Sequence, residues 1–214
     1  MTRLYRPVGL NEVGLVWDSG CREFPPRLPE QPIFYPVTSA EYATQIARDW
    51  NTKSPSYTGY VTSFDVNDDY LLKFERHVVG SAIHEEYWIP ANELREFNHA
   101  ICGRINVDTP PTSVIHLLDS FPKKPSLRGK NAREQFIILA RSSDYNGMDF
   151  ALEVAANPKA IYLSCLFWLE QDFTLLGVDR SLKEATLRGL IEAWKRSGTE
   201  PELPGTFTNG VSTE

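Results

Sequence analysis

The first hundred residues alternate between the hydrophobic spacing of strands and that of helices. Period-two alternation and short apolar runs predict strands over 3–8, 33–37, 59–66, 81–89 and 101–107. Spacing of three to four residues predicts helices over 10–19, 69–74 and 91–99. Residues 22–32 are rich in proline, which cannot donate to a hydrogen-bond ladder, so an irregular segment is expected there. This mixture predicts an α+β unit.

One more helix is predicted directly after residue 37. Thr38 and Glu41 have the spacing of a capping box, in which the Thr side chain caps the start of the helix. The buried face of this helix is predicted to be Ala43, Ile46, Ala47 and Trp50.

The second half of the chain has a more helical pattern. Helices are predicted over 131–141 and 148–156, and the apolar run 161–169 fits either a strand or a buried helix. Ser181 and Glu184 form a second capping-box spacing, which predicts a helix that ends at Gly198. Its apolar positions are Leu182, Ala185, Leu190, Ile191 and Trp194. Trp168 and Trp194 are predicted to be core residues, and no chemistry is predicted for this half.

The domain boundary is predicted at Pro110 and Pro111, because a proline pair resists both helix and strand. The prediction is a first domain over 1–108 and a smaller, mainly helical or α+β domain over 113–200. The tail 201–214 contains little to bury and is expected to be loose.

Composition narrows the classes of function. The net charge of −6 argues against general affinity for nucleic-acid backbones or anionic membranes. The basic residues Lys123, Lys124, Arg128, Lys130 and Arg133 are interpreted as a solvated linker. Apolar runs stay well below the roughly 20 residues of a membrane span, and the N-terminus lacks the apolar core of a signal peptide. Three widely separated cysteines fit a reducing compartment, so a cytoplasmic protein without membrane contact is expected.

Three segments of the first half carry candidate chemistry. Arg6 ends a Leu-Tyr-Arg run, Tyr35 ends an Ile-Phe-Tyr run, and Glu86 lies in His-Glu-Glu-Tyr-Trp-Ile-Pro. Each has a plain structural alternative. Arg6 could pair with a surface acid, Tyr35 could be a core residue, and Glu86 could form a solvated pair with Glu85.

In their order and spacing these segments resemble the ADP-ribosyltransferase superfamily, and more closely small bacterial proteins described as ADP-ribosylation/crystallin J1-like. The resemblance covers roughly residues 3–107. It implies an ADP-ribosyltransferase-like split β-sheet, with Glu86 as the catalytic carboxylate before Pro90. Arg6 matches the Arg or His of the family's first strand, and Tyr35 matches its strand Tyr. The superfamily's Ser-Thr-Ser motif is absent, which favours the branch that contains Tyr.

The resemblance also names accessory residues. Tyr42 is a second aromatic candidate for binding NAD, and His84 is a further binding candidate. His84 stands where transferases that modify side chains often have Glu or Gln, so the acceptor is left open. If 81–89 is a strand, alternation puts His84 and Glu86 on one face and Glu85 on the other.

The implied activity is transfer of ADP-ribose from NAD to a macromolecular acceptor, protein or nucleic acid, or hydrolysis of NAD. Toxin, defence and modification roles occur in the superfamily, with an inhibitory or antitoxin partner in some of these settings. The alternative is a non-catalytic module of the same fold that binds a nucleotide or ADP-ribose. In a third reading the second half inhibits the first or recruits its target.

Other motifs are incomplete. His84 and Glu86 have the His-x-Glu spacing of zinc deaminases, but no Pro-Cys-x-x-Cys follows. The histidines and cysteines show no metal spacing. A P-loop and a Gly-x-Gly-x-x-Gly motif are both missing, so a Rossmann-type NAD site is not indicated.

Overall fold

The structure, a computed structural model, describes residues 1–53, 57–81, 83–108 and 126–205. Its contacts divide the chain into two compact units, Met1–Val114 and Ile115–Glu214. Residues 109–113, at the predicted boundary, and Lys123 and Lys124 of the basic stretch lie outside the described residues. Within the described part no helix is long and apolar enough to span a membrane.

The first unit combines antiparallel strands with short helices, as an α+β class requires. Its strands are β1 Thr2–Gly9, β2 Ile33–Phe34, β3 Gly59–Val66, β4 Arg76–Val78, β5 Glu85–Tyr87, β6 Ile89–Pro90 and β7 Ile101–Val107. Its helices are α1 Leu10–Asp18, α2 Ala40–Asp49, α3 Asp68–Leu71 and α4 Leu94–Ala100, with 3₁₀ turns at Asn51–Lys53 and Ala91–Glu93.

Strand β3 is the centre of the main sheet, pairing with β1 on one side and β7 on the other. All these pairings are antiparallel, and β3 is almost wholly buried. Val37 extends the sheet, because it forms one bridge to Tyr5 of β1 and another to Glu86 of β5. Strand β5 pairs in turn with β4, while β2 and β6 form a separate pair. Val37 therefore connects the edge of the main sheet to the strand that carries Glu86.

Two sets of apolar side chains hold this sheet. Helix α2 contributes Ala43 and Ala47, which pack with Val37 and Val61. The other set is aromatic: Phe24 lies 4.9 Å from both Phe34 and Phe64, measured between ring centroids. Strand alternation puts Val61 and Phe64 of β3 on opposite faces, so the two sets cover the two sides of the sheet.

Three predictions about the first unit are wrong in detail. The cap of α2 is Ser39, not Thr38, because the Thr38 backbone N–H donates to the Glu85 carbonyl at 3.0 Å and thus belongs to the sheet. Trp50 follows the last residue of α2 and is 72% exposed rather than buried. The single strand predicted over 81–89 is wrong, because the run contains β5, Glu85–Tyr87, and the first residue of β6, Ile89–Pro90. His84 precedes β5, and its N–H bonds to the Ser81 carbonyl at 2.9 Å.

The described part of the second unit is helical. It contains α5 Ala132–Tyr145, α6 Gly147–Ala156, α7 Pro158–Glu170 and α8 Arg180–Ser197, with a 3₁₀ turn at Thr174–Leu176. The ambiguous run 161–169 is thus a buried helix. Trp168 and Trp194 are core residues, as predicted, and the Trp168 indole donates to the Ala132 carbonyl at 2.7 Å.

Three predictions about this unit are also wrong. Helix α8 is capped by Asp179, whose carboxylate accepts the Leu182 N–H at 2.8 Å, so Ser181 lies inside the helix. Thr186 is buried where Ala185 was expected. The tail is not loose at its start, because the Pro201 carbonyl accepts from the Trp194 indole at 3.0 Å and Leu203 is buried. Residues 206–214 lie outside the description.

Candidate active site

Glu86 is a buried carboxylate in the middle of a three-residue strand. Its backbone pairs with His77 on one side and Val37 on the other. The residue as a whole is only 8% exposed. The Trp88 indole N–H donates to Glu86 Oε1 at 2.7 Å. Since side chains two apart on a strand share a face, Trp88 is well placed to hold the Glu86 carboxylate in one orientation.

Tyr42 approaches Glu86 from the first turn of α2. The Ser39 hydroxyl accepts the Tyr42 backbone N–H at 3.1 Å and so fixes the start of this helix. Burial raises the pKa of the Tyr42 phenol, and the negative charge of Glu86 and a hydrogen bond to it raise that pKa further. The phenol therefore stays protonated at neutral pH and remains a donor beside the carboxylate.

His84 is held against Tyr42 although it lies in a turn rather than in the predicted strand. The two rings stack with centroids 4.3 Å apart and planes 23° apart. The His84 Nε2 atom is within 3.1 Å of Gln45 Oε1 on helix α2. The structure therefore brings His84, Tyr42 and Glu86 together: His84 stacks on Tyr42, and Tyr42 is hydrogen-bonded to Glu86.

An aromatic ledge, formed by Tyr35, His77 and Trp88, borders Glu86. His77 stacks on Trp88 with centroids 4.3 Å apart, and the Tyr35 ring meets Trp88 edge-on at 6.1 Å. Tyr35 is 37% exposed and Trp88 40% exposed, so Tyr35 is not the core residue of the structural alternative. Exposed aromatic faces beside a buried carboxylate can stack on a flat ring and present it to that carboxylate.

Arg6 belongs to a neighbouring arginine cluster, which consists of Arg6, Glu12 and Arg27. Arg6 Nε donates to Glu12 Oε1 at 2.9 Å and Nη1 donates to the Tyr35 carbonyl at 3.1 Å. The guanidinium also lies over the Phe34 ring, 4.5 Å from its centroid. The Arg6 side chain is 9% exposed and that of Glu12 is 22% exposed, so this ion pair is largely but not wholly buried. Tyr35 connects this cluster to the ledge, by its carbonyl on one side and its ring on the other.

Strand alternation separates Arg6 from Glu86 at the level of the sheet. Tyr5, Val37 and Glu86 are direct cross-strand partners, so their side chains share a face. Arg6 follows Tyr5 and points to the opposite face, toward Phe34. The predicted site residues are thus divided: Glu86 lies with Tyr42 and His84, whereas Arg6 lies apart from them and bonds to the Tyr35 carbonyl.

Glu85 has surroundings unlike those of its neighbour. Its carboxylate lies 3.4 Å from Arg76 Nη1, and the Arg76 side chain is 59% exposed. An exposed ion pair of this kind contributes little to stability. Glu85 and Glu86 are therefore a matched pair of carboxylates, one in a surface ion pair and the other buried beside the ledge.

Sequence reasoning missed His77, Trp88, Glu12 and Arg27. Trp88 carried a usable signal, since it lies two residues after Glu86 and alternation along the strand predicted over 81–89 puts both on one face. His77 depends on the β4–β5 pairing, and Arg27 lies in the irregular segment, where residue spacing says nothing about side-chain position. Among the described residues, no three His, Cys, Asp or Glu side chains are grouped so that they could hold a metal ion.

Comparison with protein-family models, curated proteins and solved structures found no match to this chain. The functional assignment therefore depends on the geometry of the site and on the resemblance of its motifs.

Proposed function

We propose that the first unit has an ADP-ribosyltransferase-like fold and cleaves NAD between nicotinamide and ribose, with Glu86 as the catalytic carboxylate. The observation that carries the proposal is the buried Glu86 side chain, which is oriented by the Trp88 indole at 2.7 Å beside an exposed aromatic ledge. The ADP-ribosyl group passes to water or to a macromolecular acceptor.

The residues present fit a nicotinamide nucleotide in shape and charge. The ledge offers flat ring faces to nicotinamide, and Glu86 supplies a negative charge next to them. A carboxylate held in place before reaction stabilises positive charge that develops nearby, because no reorganisation is needed at the transition state. The Trp88 indole holds the Glu86 carboxylate in this way, through the hydrogen bond to Oε1.

The chemical step follows from this arrangement. The bond between ribose C1′ and the pyridinium nitrogen breaks, and its electron pair leaves with nicotinamide, which becomes neutral. C1′ becomes oxocarbenium-like, and Glu86 stabilises it by accepting a hydrogen bond from the ribose 2′-hydroxyl. Water or an acceptor nucleophile then forms the new bond at C1′ and loses its proton. Tyr42 stays protonated beside Glu86 and helps to hold it.

The proposal is tested by incubating the full chain with NAD and quantifying free nicotinamide by mass spectrometry. We expect time-dependent release that scales with protein concentration. NADH is the matched control, because its uncharged dihydronicotinamide is a poor leaving group and should not be released. Binding of NAD without release would contradict the transferase proposal and favour the non-catalytic binding module.

A further inference from the structure

The arginine cluster carries more positive than negative charge. Arg6 and Arg27 both approach the Glu12 carboxylate, and their side chains are 9% and 11% exposed. Burial and the nearby Arg6 charge lower the pKa of Arg27, and the Glu12 carboxylate opposes them. One carboxylate between two largely buried guanidinium groups leaves a net positive charge in a place where charge is costly to bury.

The donors of Arg6 are already engaged. Arg6 Nε and Nη2 face the two oxygens of Glu12 at 2.9 and 3.4 Å, and Nη1 bonds to the Tyr35 carbonyl. Arg6 therefore acts as a positioning residue, which fixes the main chain of Tyr35 next to the ledge.

Arg27 is different, because its donors are poorly satisfied. Its Nε atom is buried and has no hydrogen-bond partner among the described residues. Its Nη1 atom reaches Glu12 only at 4.0 Å, beyond hydrogen-bond length. Buried donors are normally paired, so an unpaired guanidinium donor calls for a ligand.

Helix α1 adds to the positive character of this region. Glu12 lies in its first turn, and the N-cap residue Gly9 provides no side-chain acceptor. The start of a helix carries partial positive charge and free backbone N–H groups, which favour an anion.

We propose that Arg27, with the positive charge of Arg6 nearby, binds a phosphate-type oxyanion. The planar fork of a guanidinium matches two oxygens of such a group. If the proposed function is correct, on which this assignment of the ligand rests, the oxyanion is the diphosphate of NAD. Tyr35 connects the arginine cluster to the ledge, so the diphosphate would lie next to the ledge. Free phosphate is the other source of the same chemistry.

The test is calorimetric titration of the full chain with ADP-ribose, pyrophosphate and inorganic phosphate in separate experiments. Tighter binding of ADP-ribose than of the inorganic ions identifies a nucleotide diphosphate, and the reverse order identifies free phosphate. Arg27→Gln should weaken binding by about tenfold to a hundredfold, the effect of losing a charge-assisted hydrogen bond. Arg22→Gln removes the same charge from an exposed position of the same segment and should leave affinity unchanged.

Glu12→Gln provides a second variant with the opposite expected sign. Its negative charge repels the bound anion and attracts the Arg27 guanidinium, so neutralising it should tighten binding severalfold. Binding of none of the three ligands, or unchanged affinity in Arg27→Gln, would overturn the proposal.

Failure of this inference and failure of the proposed function are distinguishable. If anion binding depends on Arg27 but no nicotinamide is released, the anion site is supported and the transferase proposal is contradicted. If nicotinamide is released but Arg27→Gln keeps its affinity for ADP-ribose, the transferase proposal is supported and the anion site at Arg27 is contradicted.

Discussion

Trp88 gives Glu86 its fixed orientation, and it acts through a single N–H group. The Glu86 carboxylate is a strong acceptor, so the 2.7 Å bond from the indole is of the charge-assisted kind. The same indole is stacked on His77 and contacts Tyr35, so its own position is held by the ledge. The orientation of Glu86 therefore depends on residues from three separate segments of the chain.

Trp88→Phe should separate the role of the indole N–H from that of the ring. The variant keeps an aromatic face against His77 and Tyr35 but removes the donor to Glu86. We expect kcat for nicotinamide release to fall about tenfold, the effect of one lost charge-assisted hydrogen bond, with little change in KM. Trp50→Phe is the control, since Trp50 is 72% exposed and should tolerate the change. A rise in KM at constant kcat would show that Trp88 binds substrate without orienting Glu86.

The sequence was sufficient to select the individual candidate residues, but it did not predict which side chains they contact. Alternation along a strand predicts that only one of Glu85 and Glu86 faces inward, and Glu86 is the buried residue. The partners of Arg6 could not be predicted. Glu12 comes from a helix and Arg27 from an irregular segment, and neither position follows from spacing along the chain.

Helix α2 and strand β3 approach each other closely near the site. Helix α2 carries Tyr42, and β3 is the central strand of the main sheet. A methyl group built on Gly59 would lie only 2.2 Å from the Ala47 carbonyl oxygen. Glycine is required at this position because the helix backbone approaches the strand too closely for any side chain.

Gly59→Ala should therefore displace α2 or strain it. We expect the free energy of unfolding to fall by about 1–3 kcal/mol, as is usual for overpacking. Urea denaturation followed by circular dichroism measures the change. Gly147→Ala is the matched control: a methyl group there meets nothing within 4 Å, so stability should be unchanged or slightly higher. Equal stability of the Gly59 variant and the parent would contradict the close approach.

Elements with strong periodicity were predicted well, whereas their ends were not. The strands Gly59–Val66 and Ile101–Val107 match their predicted bounds, because long apolar alternation has one interpretation. The length of the strand predicted over 81–89 was overestimated, since the His84 N–H bonds to the Ser81 carbonyl before β5 begins and Gly80 adopts a positive φ of 124°. Both helix caps were misassigned because several residues near each helix start could serve as the cap.

Sequence patterns indicated the class of fold of the first unit, but they did not predict which of its strands pair with each other. Mixed strands and helices in the first half predicted α+β, and the structure agrees. The bridge residue Val37, which joins β1 to β5, could not have been identified, because a single bridge between distant segments leaves no periodic signal. Yet that bridge puts Glu86 next to the main sheet. The site therefore depends on long-range pairing.

The central claim, that Glu86 is the catalytic carboxylate, is tested most directly by comparing Glu86→Gln with Glu85→Gln. Both changes remove one negative charge from adjacent residues and keep side-chain shape. Only Glu86 is buried beside Trp88, whereas Glu85 pairs with the exposed Arg76. We expect nicotinamide release from NAD to fall by about 10²-fold or more in Glu86→Gln, the effect of losing a preorganised electrostatic contact, and to change little in Glu85→Gln. Full activity in Glu86→Gln, or equal losses in the two variants, would contradict the account.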